Sequence, residues 1–209
     1  AISYCETAEL DQNISQTNTA FIVKNVGSIG VVGLGTQITI DNEIMVYQSY
    51  DAKTSLLTVK RGALDTIPHN HSAGSVLYFA DDFITVDPTE YATSEVINVK
   101  ALTTTPSGIL SIDDVDAQQV EIKARAIRPY QPANVKINGK YWPAYIDTDL
   151  TINWVNRNRS QQTGGEILGY FDAGVTLEQD TQTQLTIIEL DADNVELATH
   201  SVNATATNA

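Results

Sequence analysis

The residues with the richest chemistry in this 209-residue chain are His69 and His71, two apart in Thr66-Ile-Pro-His-Asn-His-Ser72. In an extended segment that spacing puts both imidazoles on one face, as a divalent transition metal requires. No third Cys, His or carboxylate stands at a useful local spacing, so a histidine held in a tight turn is the preferred reading. Asp113, Asp114 and Asp116 cluster in the manner of a Ca²⁺ loop, but no Gly and Glu follow at EF-hand spacing. Asp191, Asp193 and Glu196 sketch half of such a site around a turn. Gly27, Gly30, Gly33 and Gly35 could line an anion, yet no Gly-Lys-Ser/Thr ending follows and no helix presents its N-terminus. The expectation is structural loops at each of these places, with neither metal nor cofactor.

Enzyme chemistry finds little purchase either. A pair of carboxylates is always available among 26 Asp and Glu, so its presence has no diagnostic force. There is no Gly-x-Ser-x-Gly elbow and no His-Glu-x-x-His, and the chain is expected not to be an enzyme. Tyr130, Tyr141, Trp142 and Tyr145 form the densest aromatic group and could stack on sugar rings; covering the core at a domain junction is the competing role. Arg157 and Arg159, in a donor-rich Arg-x-Arg-x-Gln-Gln stretch, join them as candidate glycan or partner contacts.

The formal charge of -14 and the pI near 4.3 repel polyphosphate, which excludes direct nucleic-acid binding by a chain with only 12 Lys and Arg. The acidity reads as a device for solubility, with attachment of cations as the alternative. Cys5 is alone and cannot close an internal disulfide. No apolar run approaches the roughly 20 residues that span a bilayer, and residues 1–14 lack the pattern of a secretory signal. Synthesis in a soluble compartment without membrane insertion is expected.

Strands must position these residues. Nine Tyr, two Trp and many Thr, Val and Ile favour them, whereas few strong helix formers are present; the expected class is all-β. After a polar lead-in over residues 1–14, residues 15–80 read as a small β barrel or sandwich. Phe21 to Lys24 is one strand, and Ile38-Thr-Ile-Asp-Asn-Glu-Ile-Met-Val-Tyr47 is a hairpin alternating on either side of Asp41-Asn42-Glu43. Leu57 and Val59 give a further strand before Arg61-Gly62 bends the chain, and Ser75 to Ala80 re-enters the sheet. The acidic, proline-broken stretch from Asp81 to Glu90 marks a boundary. A connecting β segment over 81–130 then carries strands at Glu95 to Leu102 and Val120 to Ala126 and ends in the stiff link Arg128-Pro-Tyr-Gln-Pro132. Over 131–209, Asn134 to Ile137 is a strand, and Leu150, Ile152 and Trp154 point to one face that must be covered. Gln184 to Leu190 and Val195 to Val202 flank the turn Asp191-Ala-Asp-Asn194. Between them, Asn156 to Thr183 reads as an exposed donor-rich loop with a short strand at Glu166 to Phe171.

Three segments in order, Thr58-Val-Lys-Arg-Gly-Ala-Leu-Asp-Thr-Ile-Pro-His-Asn-His-Ser-Ala-Gly-Ser-Val-Leu-Tyr78 with the Ile38 to Tyr47 hairpin before it, Arg125 to Gly139, and Leu150 to Gln162, resemble the C-terminal region of tail proteins of long-tailed bacteriophages, the central tail-hub or tail-tip group. The resemblance spans roughly residues 15 to 205. It implies a β-rich region that ends in a fibronectin type III-like domain, with Asn134 to Ile137 as its first strand and Trp154 buried on its second. It implies a non-enzymatic virion component of phage or prophage, a rigid spacer and docking module made in the bacterial cytoplasm and carried in the tail. Its implied partners are other tail proteins, further copies of itself, and a host surface glycan or receptor. A glycan-binding β-sandwich module is the alternative. That family has no catalytic residues to carry over; it places a histidine like His71 in a tight turn, and its Arg-x-Arg-x-Gln-Gln stretch has no catalytic role. The long gap between Trp154 and Gln184, and the stop at Ala209, depart from the pattern and suggest an incomplete end domain cut from a longer polypeptide.

Overall fold

A computed structural model describes residues 5–80, 87–163 and 165–204. Apolar side chains at every second position decide the shape of the first part. Strands β1 (Thr7–Leu10), β2 (Ala20–Lys24), β3 (Gln37–Ile40), β4 (Glu43–Asp51), β5 (Leu56–Lys60) and β6 (Val76–Ala80) pair antiparallel in the order β1-β2-β5-β4-β3-β6. Strand β6 returns to β1 through Thr7↔Tyr78 and Ala8↔Leu77, so the sheet closes into a barrel. Each strand turns alternate residues inward: Ala8 and Leu10, Phe21 and Val23, Ile38 and Ile40, Met45 and Tyr47, Leu57 and Val59, Leu77 and Phe79. Tyr47 meets Phe79 edge-on with ring centroids 6.3 Å apart. Burial of each large apolar side chain contributes about 1.5–3 kcal/mol, and closure leaves no unpaired edge. The chain is thus all-β, with its best-packed core inside this barrel.

Strands β2 to β6 stand where alternation places them, and Asp41-Asn42 connects β3 to β4. Asp41 takes φ 48°, a left-handed conformation that Asp tolerates. Strand β1 lies inside the stretch read as a polar lead-in. Four residues, half of them polar, carry too short a signal to see, yet Ala8 and Leu10 fill the gap between β2 and β6.

Residues 87–128 form a second unit. Strands β7 (Val96–Val99) and β10 (Gln118–Glu121) pair through Val120↔Ile97, while β8 (Thr104–Thr105) and β9 (Gly108–Ile109) make a tight hairpin. The aspartate cluster opens on a 3-10 turn, Ile112–Asp114, where Ser111 Oγ accepts the Asp113 N–H at 3.3 Å. None of these residues is buried. The strand expected from Val120 to Ala126 stops at Glu121 because Ala124 is left-handed, φ 53°, and leads into a 3-10 turn at Arg125–Ile127. Ala124 and Ala126 keep the alternating pattern but bring too little apolar area to hold a strand. Of the acidic connection from Asp81 to Glu90, residues 81–86 lie outside the described residues.

The chain from Pro129 onward rejoins the first unit, so the boundary falls inside the stretch read as a stiff link. Here β11 (Ala133–Ile137) pairs with β12 (Ile152–Val155), a five-residue helix α1 (Arg159–Thr163) follows, and β13 (Thr183–Leu190) pairs with β14 (Glu196–Ala204). Ile152 and Trp154 are buried, but Leu150 precedes the strand and is exposed. Residues 166–171 form no strand. They descend on the end of β5: the Tyr170 N–H donates to the Arg61 carbonyl at 2.6 Å, and a Cβ at Gly169 would stand 2.8 Å from the Lys60 Cβ. Lys60 also pairs with Asp172 at 3.0 Å and with Glu166.

Among the described residues both ladders stay two-stranded, short of the two multi-stranded sheets of a fibronectin type III-like sandwich. In the β13–β14 ribbon, Leu185, Ile187, Glu189, Ala198, His200 and Val202 share one face and Gln184, Thr186, Ile188, Thr199, Ser201 and Asn203 the other, so neither face is uniformly apolar. Its turn is set by Asp191 Oδ1, which accepts the N–H groups of Asp193 at 2.9 Å and Val195 at 2.8 Å. No described helix is long and apolar enough to cross a membrane.

Neighbours of opposite parity on β6 give a direct check. Phe79→Ala should lower unfolding free energy by about 3–5 kcal/mol, whereas Tyr78→Ala, half exposed on the outer face, should change it by no more than about 0.5 kcal/mol in urea titrations.

Candidate functional site

Inward parity also captures charges. Glu43 stands in register with Met45 and Tyr47 on β4, and Arg61, directly after β5, continues Leu57 and Val59. Both side chains are 0% exposed at the end of the barrel interior. Arg61 Nε donates to Glu43 Oε1 at 2.7 Å and Nη2 to Oε2 at 2.9 Å, a two-pronged ion pair. The remaining donors reach the carbonyls of Ser15 at 2.9 Å, Asn18 at 2.6 Å and His69 at 2.6 Å. All five N–H groups of the guanidinium are used. Glu43 further accepts the N–H of Gly62 and that of His69, each at 2.9 Å. Gly62 makes this possible: it holds φ 56°, and a Cβ there would stand 2.5 Å from the Pro68 Cδ.

His71 completes the cluster, with Nε2 2.9 Å from Glu43 Oε2 and Nδ1 2.6 Å from Asp41 Oδ2. Ionised carboxylates only accept hydrogen bonds, so both ring nitrogens must carry protons. Burial by itself would lower the His71 pKa, but the hydrogen bonds to Glu43 and Asp41 outweigh it and hold it above the ordinary 6.5. For Glu43, burial pushes upward, and the hydrogen bonds from Arg61 and His71 with the Arg61 charge bring it below 4.5. The backbone bridge between Ile14 and His71, with N–H to O distances of 2.9 and 3.0 Å, fixes the same turn.

These three residues are consumed by one another, which makes the cluster a clasp. It ties the β1–β2 connection, the β3–β4 hairpin and the β5–β6 connection at one point. In the sequence the Asp41-Asn42-Glu43 turn, the Arg61-Gly62 bend and His71 stand apart, and strand parity is the one signal that joins Glu43 to Arg61. His69 takes part through its backbone while its side chain is exposed. The two imidazoles are therefore not brought to one face. Among the described residues no three His, Cys, Asp or Glu side chains gather as metal ligands would.

The aromatic and arginine candidates separate into different places. Tyr141 and Trp142 pack with Tyr170 and Phe171: Trp142 stacks on Tyr170 at 5.7 Å and 20°, and Tyr141 meets Phe171 edge-on at 5.1 Å. Trp142 holds φ 43°, strained for a bulky residue, and the residue is 39% exposed; Tyr145 is 78% exposed. Tyr130 lines a small cavity together with Arg157. Arg157 is not on an exposed loop: it is buried and donates to the carbonyls of Ala173 at 3.2 Å and Gly169. It turns inward because the 169–173 loop brings carbonyls within its reach. Arg159, on α1, pairs with Glu178.

Removing one partner of the clasp leaves a buried charge unpaired. Arg61→Met should therefore cost about 3–5 kcal/mol in urea unfolding. Stability also depends on pH through two groups of opposite sign. The His71 contribution is complete below 6.5 and is lost as pH rises through its raised folded value; that of Glu43 is complete above 4.5 and is lost as pH falls through its lowered one. Melting temperature should therefore plateau between these limits, and His71→Gln should abolish the alkaline decline while leaving the acid one. No protein-family model matches the chain, and neither does any curated protein.

Proposed function

We propose that this chain is a non-enzymatic structural module of a bacteriophage or prophage tail tip, acting as a rigid spacer and docking element in the virion. The observation that carries it is the fate of the most chemically capable residues. In the segment that resembles tail-tip proteins, Glu43, Arg61 and His71 spend their hydrogen bonds on each other and on backbone, leaving a shape rather than a reactive group. The barrel supplies stiffness, since its six strands leave no open edge, and the ladders, two-stranded among the described residues, supply edges for neighbours. Its partners are other tail proteins, and it reaches the virion after synthesis in the bacterial cytoplasm.

A glycan-contacting role is the second reading, and Trp142 favours it. A strained, partly exposed indole braced from behind by Tyr170 has the form of a stacking platform, with Tyr145 close by in sequence.

Antibody raised against this chain should label the tail end of particles purified from the source culture. Absence from purified particles, with the protein recovered only outside them, would overturn the structural role. Glycan-array binding that is lost in a folded Trp142→Ala variant would move the assignment to the second reading.

A further inference from the structure

Asn138-Gly139 is the one Asn-Gly pair in the sequence, and it forms the two-residue turn that follows β11. Both residues are left-handed, at φ 49° and 75°, as this tight hairpin turn requires. The backbones of Ile137 and Lys140 close it with N–H to O distances of 2.9 and 3.0 Å. Three hydrogen bonds then fix Asn138. Its N–H donates to the Thr151 carbonyl at 2.8 Å, its Oδ1 accepts the Thr151 N–H at 2.8 Å, and its Nδ2 donates to Thr148 Oγ1 at 3.1 Å. Gly139 is left open: among the described residues its N–H has no partner, and a Cβ there would meet nothing within 4 Å.

A side-chain amide followed by glycine carries both reactants of a ring closure. The Gly139 nitrogen, losing its proton to solvent, attacks Asn138 Cγ; the new N–Cγ bond replaces the Cγ–Nδ2 bond, and the amide nitrogen leaves as ammonia. Water then opens the cyclic imide at either carbonyl, giving Asp or the isomer whose main chain runs through Cγ. Attack requires the carboxamide to turn toward the glycine nitrogen, and the bonds at Oδ1 and Nδ2 oppose that rotation. The bond at Nδ2 is the more easily lost, because Thr148 stands in the irregular, exposed stretch 144–150 with Tyr145 and Ile146. We propose that Asn138 is a self-modification site held in its amide form by Thr148 and Thr151, and that opening of the 144–150 stretch commits it to the imide. The isomer adds a main-chain atom to a turn of two residues and breaks the Ile137–Lys140 bridge, which loosens the start of the segment carrying Tyr141 and Trp142.

This chemistry needs neither reading of the overall role. The full chain is aged in mildly alkaline buffer, folded or unfolded in guanidinium chloride, and peptide mapping by mass spectrometry reads the acid and its isomer at residue 138. The unfolded chain should convert at least about tenfold faster than the folded one, since both side-chain bonds are then lost. Thr148→Val keeps the shape without the hydroxyl and should speed conversion of the folded protein about two- to tenfold, with the melting temperature unchanged. Thr148→Ser keeps the hydroxyl and should convert at the rate of the original chain. Equal rates in the folded and unfolded chain, a Thr148→Val rate no higher than that of the original, a Thr148→Ser rate matching Thr148→Val, or no conversion at residue 138 in the unfolded chain would each overturn the proposal.

Discussion

The barrel depends on a paired charge placed where an apolar side chain would ordinarily sit. Glu43 and Arg61 both lie on the inward parity of their strands, and each brings a desolvation cost that only the other can offset. An apolar pair of equal volume could contribute as much net stability. What it could not do is demand an alignment: the fork of Arg61 meets the carboxylate only when the β3–β4 hairpin is in register and β5 ends one residue before it. A slip of one residue would expose the core face of a strand and bury an unpaired charge together. The pair thus adds a second penalty to every misregistered arrangement.

The end of β5 serves the interior and the exterior at once. Arg61 turns its side chain inward to Glu43 while its carbonyl accepts the Tyr170 N–H, and Lys60 faces the other way to Asp172 and Glu166. Gly62 turns the chain sharply enough to return its N–H to Glu43, and Gly169 lets the later loop approach the strand backbone. Residues 60–62 consequently join the clasp to the segment that carries Tyr170, and through Tyr170 to the stacked Trp142.

Much of this was legible from period-two alternation. Strands at Phe21, Ile38, Leu57 and Val76 repeat apolar residues at every second position, and the turns at Asp41 and Asp191 carry residues that accept left-handed or side-chain-capped geometry. The failures have physical causes. Strand β1 is too short to show a period, and Ala124 and Ala126 keep one without the area to enforce it. Arg157 is buried by carbonyls from a loop a dozen or more residues away, a contact that no local pattern announces. Parity did mark Glu43 and Arg61 as inward, but their partnership spans 18 residues and two turns, so each looked like an ordinary turn residue.

The closed cylinder has a further meaning for how such a chain can be extended. Every strand in it has both neighbours, so backbone hydrogen bonding offers no place for a foreign segment to join, and insertion would require opening an existing pair. The β13–β14 ribbon is the opposite: among the described residues each strand has one flank without a strand partner. Any lengthening of the sheet by another polypeptide is therefore steered away from residues 7–80 and toward the small ladders, where a single added strand turns two into three and takes the ribbon past the length of partnership that a lone hairpin can sustain in water.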